Sequence, residues 1–117
     1  MGLNTIKKQL WDSEALAGVN VSTDWLDCLN LQSGSFSFVW SNGSTPVGEV
    51  IVEVSNEANH SDTQELTLSA TLAVSGTSGI HVANLDVIPC RYVRLTYVAT
   101  SGTADANVWF VGKGDAN

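Results

Sequence analysis

Ser35-Phe36-Ser37-Phe38-Val39-Trp40-Ser41 alternates apolar and small polar side chains without a break. In an extended chain Phe36, Phe38 and Trp40 point one way, and Ser35, Ser37 and Ser41 the other. One wet face and one core face is the pattern of an antiparallel β-sandwich. Cys90-Arg91-Tyr92-Val93-Arg94-Leu95-Thr96-Tyr97-Val98 behaves similarly, with Val93, Leu95 and Tyr97 on one side and Tyr92, Arg94 and Thr96 on the other. Pro89 precedes this run, where its missing N–H costs the ladder least. The run reads as a central or near-central strand.

The rest of the chain fits the same scheme. Val47–Ser55 is a strand with Val50, Val52 and Val54 inward and Glu49, Ile51 and Glu53 outward. Leu66–Val74, Ile80–Ile88 and Ala106–Val111 add three more, and the stretches around Val19–Thr23 and Trp25–Leu31 add shorter ones. Gln32–Gly34, Asn42–Pro46 and Ala99–Gly102 carry turn chemistry and read as loops. No segment has helical periodicity. The expectation is an all-β chain: an antiparallel β-sandwich of jelly-roll type with about eight strands. The expected core is Phe36, Phe38, Val50, Val52, Val54, Leu68, Leu72, Val93 and Leu95.

A length of 117 residues allows one domain. Residues 1–18 read as an N-terminal arm, with an irregular strand over its second half, and 19–117 as a single β-sandwich domain. A chain beginning near Val19 is expected to fold.

Twelve acidic residues against five basic ones give a net charge of −7. No basic stripe exists to displace counterions, which argues against nucleic acid. No apolar run approaches the roughly 20 residues of a membrane span, and no signal-peptide pattern opens the chain. A soluble protein made in a cytoplasm is expected, with Cys28 and Cys90 as free thiols in apolar strand contexts.

Catalytic chemistry finds little support, and no enzyme and no cofactor are expected. His60-Ser61-Asp62 holds triad residue types, but adjacent residues cannot align as nucleophile, base and orienter. Asn56, Glu57, Asn59, His60 and Asp62 offer donors for a cation such as calcium, yet a solvated turn is the expected reading. The four tryptophans could build a sugar-stacking platform. Trp40 is expected in the core, and either Trp109 or Phe110 must face outward. Arg91 and Arg94 fall on opposite faces and are expected to pair separately with Glu49, Glu53 or Asp86. Lys7, Lys8, Trp11, Trp25, Asn42 and Pro46 are the candidate interface residues, lying on the arm, on the irregular first quarter and on one loop.

Phe36-Ser37-Phe38-Val39-Trp40, then Pro46-Val47-Gly48-Glu49-Val50-Ile51-Val52-Glu53-Val54-Ser55-Asn56, then Arg91-Tyr92-Val93-Arg94-Leu95-Thr96-Tyr97 and Thr100-Ser101-Gly102-Thr103 resemble small β-sandwich virion proteins of tailed bacteriophages. The middle and end are also similar to discoidin-like and galactose-binding-like jelly rolls. Those domains often carry Asp-Gly and a Trp after the Ser-Asn. Here Glu57-Ala58-Asn59-His60 follows, so no sugar or calcium site is carried over. The resemblance implies a phage structural protein, foremost a capsid decoration (cement) protein. Its partners would be the major capsid protein and other copies of itself, and its place the capsid surface of the virion, after synthesis in the host cytoplasm. A carbohydrate-binding module for cell-surface glycans and a tail or head–tail structural protein are the alternatives.

Overall fold

A computed structural model describes residues 3–115. They form eight strands: β1 (Leu3–Leu16), β2 (Val21–Ser22), β3 (Leu26–Asp27), β4 (Ser33–Ser55), β5 (Gln64–Leu66), β6 (Leu72–Val74), β7 (Gly79–Leu85) and β8 (Tyr92–Asp115). Every pairing is antiparallel. The long strands β4 and β8 each run through two layers. In one layer the first half of β4 lies between β7 and the second half of β8, and β1 flanks β8, giving the order β1–β8–β4–β7. In the other, the second half of β4 pairs with the first half of β8. Short strands β2 and β3 flank β8 there, and β5 and β6 flank β4. This is the strand order of a jelly roll, with β8 central as its sequence suggested.

Asn42–Pro46 and Ala99–Gly102 are corners rather than chain-reversing loops. Both lie where β4 and β8 cross between layers, and the β4–β8 register slips between Ser41 and Gly48. Asn42 and Thr45 take φ of 53° and 46°, and Gly102 takes 78°. A Cβ on Gly102 would lie 2.1 Å from the Thr45 carbonyl oxygen, so the two bent strands close on a position only glycine fits. Gly, Asn, Ser and Pro mark a break in the ladder; whether the chain then reverses or bends is decided by its partners.

Phe36, Phe38 and Trp40 face Val50, Val52, Val93, Leu95 and Tyr97 across the sandwich, all buried. Phe38 joins the layers, stacking on Tyr97 at 6.0 Å between ring centroids. Leu68 and Leu72 are only partly buried against this core. The expected strand Leu66–Val74 is split at a bend between β5 and β6, which interrupts the alternation that would have sunk both leucines.

The expected arm is also corrected. Residues 3–16 are strand β1, paired along β8 from Leu3–Asp115 to Leu16–Ala104, while Met1 and Gly2 lie outside the described residues. The strand is irregular, with register shifts between Gln9 and Trp11 and between Trp11 and Glu14. The first shift turns Trp11 inward, where it is 6% exposed and meets Phe38 edge-on at 6.4 Å. Leu16 is buried too.

Candidate interaction surface

Strand alternation and register assemble one face that composition alone hides. On the outer side of the β1–β8–β4–β7 layer, Ile80 pairs with Val39, Val82 with Ser37, and Ser37 in turn with Trp109. Ser35 lies between Asn84 and Val111 in the next row. Ile80 is 62% exposed, Val82 50% and Trp109 37%, while Val39 and Val111 are half-buried. On β1 the matching positions are Thr5, Lys7 and Gln9, opposite Lys113, Val111 and Trp109. Lys7 Nζ sits 5.1 Å from the Trp109 ring centroid, a cation–π contact. From Ile80 across to Thr5 these positions carry no carboxylate, although the chain has a net charge of −7. Serines between the apolar side chains keep the face flat.

The outer side of the other layer carries a polar and aromatic network. Glu53 Oε1 accepts from Arg94 Nε at 2.9 Å and from the Thr96 hydroxyl at 2.7 Å, and Thr96 meets the Ser22 hydroxyl at 2.7 Å. The Arg94 guanidinium lies 4.4 Å from the Trp25 ring, Trp25 stacks on His60 at 4.4 Å, and His60 meets Tyr92 edge-on at 4.8 Å. Arg94 thus pairs with Glu53, one of its expected partners. Arg91 instead grips Asp27 with two bonds, Nε at 3.2 Å and Nη2 at 3.0 Å, because β3 pairs Asp27 beside it, opposite Tyr92. The Arg91 hydrogen bond holds the Asp27 carboxyl below its usual range. Both groups remain about half-exposed, so the pair fixes geometry more than it stabilises.

The polar stretch after β4 is a hydrogen-bonded turn. Asp62 accepts from the Ser55 hydroxyl at 2.5 Å and from the N–H groups of Asn56 and Glu57 at 3.0 and 3.3 Å. These bonds, the Ser55 one foremost, lower its pKa and commit both carboxylate oxygens to the loop itself. The Ser61 hydroxyl donates to the Glu57 carboxylate. His60 is not the solvated loop residue expected: it packs against Trp25 and Tyr92, and its Nδ1 is buried without a hydrogen-bond partner. Its backbone takes a φ of 57°.

The six candidate interface residues do not converge. Lys7 belongs to the apolar face, whereas Lys8 falls on the other side of β1, opposite Phe110. Trp11 is core. Trp25 lies on the opposite layer under His60 and Arg94. Asn42 is exposed at the corner, with Nδ2 3.0 Å from Asp105, and Pro46 is buried there. The tryptophans likewise build no common platform: Trp11 and Trp40 are core, and Trp25 and Trp109 lie on different layers. Trp109 does point outward and Phe110 inward. Ile80 and Val82 went unrecognised because their strand carries apolar residues on both sides, Ala83 and Leu85 being the buried pair.

No protein-family model matches the chain, and no curated protein matches its sequence. Solved structures do share its fold. A chain of infectious bursal disease virus, Gx strain, superposes with a TM-score of 0.67 at 12% identity, covering 98% of this chain and 33% of the viral one. A chain of the T13 particle of the same virus gives 0.66 at 15% identity, over 94% of this chain and 31% of the other. The SPBc2 prophage-derived protein YomS gives 0.57 at 12% identity, over 97% and 96% of the two chains. This chain therefore spans about a third of the viral chains and nearly all of the prophage protein. At such identities the likeness is one of fold.

Proposed function

We propose that the protein is a structural component of a tailed-phage virion and that it decorates the assembled capsid, binding the major capsid protein on its outer surface. The observation that carries this reading is the flat outer patch of Ile80, Val82, Val39, Trp109 and Val111 on one jelly-roll layer, which holds no carboxylate in an otherwise acidic molecule. The fold likeness to chains of virus particles and to a prophage-derived protein supports it, as does the resemblance in the β4 and β8 segments. No catalytic step or cofactor is assigned; the role is mechanical.

A decoration protein arrives on a shell that already exists, so it must use a rigid, preformed surface. Four strands spaced about 4.8 Å apart and about seven residues long span roughly 19 by 24 Å, on the order of 450 Å². That is about half of the roughly 800 Å² each partner buries in a standard interface. One copy alone would bind weakly, and grip on a shell would come from many copies acting together.

Cosedimentation with purified empty shells tests the proposal. Trp109→Asp and Val82→Asp place charge on the face without touching the core, and should fold normally while failing to sediment with shells. Undiminished binding by both variants would overturn the proposed face.

A further inference from the structure

The two outermost strands of the β1–β8–β4–β7 layer each pair on one side only, β1 with β8 and β7 with β4. Edge strands of this kind are templates for further pairing unless they are blunted. β1 is 14 residues long and leaves Ile6 45% exposed. Beside β7 runs a groove of about 530 Å³ lined by Leu66, Leu68, Leu72 and Leu85 and about equally by polar groups, with Asp86 as its one charged lining residue.

The lysines gather at one edge: Lys7 and Lys8 are in the first half of β1, whose second half carries Asp12 and Glu14, and Lys113 is the neighbour of Thr5 on β8. Both arginines are held in ion pairs with Asp27 and Glu53. Between Lys8 and Arg91 the sequence contains no lysine or arginine at all, so the β7 edge, with Asp86 exposed at its end, has neither of its own.

We infer that copies of this chain associate head to tail, with β1 of one copy adding to the free edge of β7 of the next. Direction permits it. The layer is antiparallel throughout, so β7 runs opposite to β1. A second copy in the same orientation therefore presents its β1 antiparallel to β7, and the sheet continues. Thr5, Lys7 and Gln9 of the incoming strand then extend the apolar outer face. Its Ile6 and Lys8, on the inner side, meet the leucine-lined groove and the Asp86 carboxylate. The two-fold alternatives are worse on charge: β1 on β1 sets Lys7 and Lys8 against themselves, and β7 on β7 sets Asp86 against itself. A heterologous contact of this kind repeats until its rotation closes a ring. It would also multiply the docking face, but it stands apart from shell binding, since it is measured in solution without shells.

The test is sedimentation velocity of the full chain over a concentration series at low ionic strength. Three proteins are compared: the unmodified chain, Lys7→Glu/Lys8→Glu, and Asp86→Lys, with thermal melts showing that each variant is folded. The unmodified chain should self-associate, and each reversed variant alone should weaken association by about tenfold or more. Mixing the two variants should restore it, because each then offers the edge the other lacks. A monomeric unmodified chain, association unchanged in both variants, or a mixture no better than its components would each overturn the inference.

Discussion

Replacing Phe38 by Ala is the sharpest probe of the two-layer core. Phe38 is fully buried and touches three rings: Trp11 at 6.4 Å, Trp40 at 5.9 Å and Tyr97 at 6.0 Å between centroids. Tyr97 comes from the facing layer and Trp11 from the edge strand, so truncation leaves a void that no single element can collapse to fill. Phe→Ala in a core costs about 3–5 kcal/mol, and three aromatic neighbours place this site in the upper half of that range. Such a loss is a large share of the roughly 5–15 kcal/mol that a domain has in total. With an unfolding entropy of about 2.1 cal/mol/K per residue over 117 residues, a loss of about 4 kcal/mol lowers the melting temperature by roughly 15–20 °C. Urea unfolding followed by tryptophan fluorescence reads the effect directly. Val39→Ala, one residue along and facing outward, should cost about 1 kcal/mol or less. Equal losses at both positions, or a Phe38→Ala cost near zero, would refute the assignment of inward and outward faces.

Four further outcomes follow from particular contacts. Gly102→Ala should destabilise by well over the roughly 1–2 kcal/mol of a left-handed residue, since its Cβ would strike the Thr45 carbonyl. Gly76→Ala, at the same φ of 78° but with open space around it, should cost only that strain, and thermal melts of the pair compare them. Burial, then the nearby Asp27 charge, push the Cys28 thiol up to about 11, so at pH 8 alkylation mapped by mass spectrometry should mark Cys90 well before Cys28. The same shift fixes a pH slope. Unfolded Cys28 ionises at lower pH than the folded thiol, so its contribution is complete below the unfolded pKa and drains as pH rises toward about 11; Cys28→Ser should lessen that alkaline loss. Finally, a chain beginning at Val19 loses β1 and with it Trp11 and Leu16 from the core, so it should fail to give a cooperative melt.

The fold was legible wherever one face of a strand is wet. Phe36, Phe38 and Trp40 alternate with serines, and Val50, Val52 and Val54 with charged or half-buried residues; both sets are buried as expected. Legibility failed where pairing, not pattern, decides. β1 has no clean period because a bulge reverses its facing at Trp11, so the sequence looked like an arm carrying an interface tryptophan. The corners looked like loops because Asn42, Thr45 and Gly102 need the same backbone freedom in a bend as in a turn. The apolar face was hidden for a different reason. It is a composite of β7, β4 and β8, and only register sets Ile80, Val82 and Trp109 side by side. Arg91 found Asp27 through the two-residue strand β3, too short to show any period.

Decoration of the capsid surface is read out by the number of copies per purified virion, measured by quantitative mass spectrometry against the major capsid protein. Copies are expected in a fixed ratio to the shell subunits and should be lost from particles when the apolar face carries Trp109→Asp. A handful of copies per particle would contradict it and move the protein to the tail or the head–tail junction, and none at all would remove it from the virion.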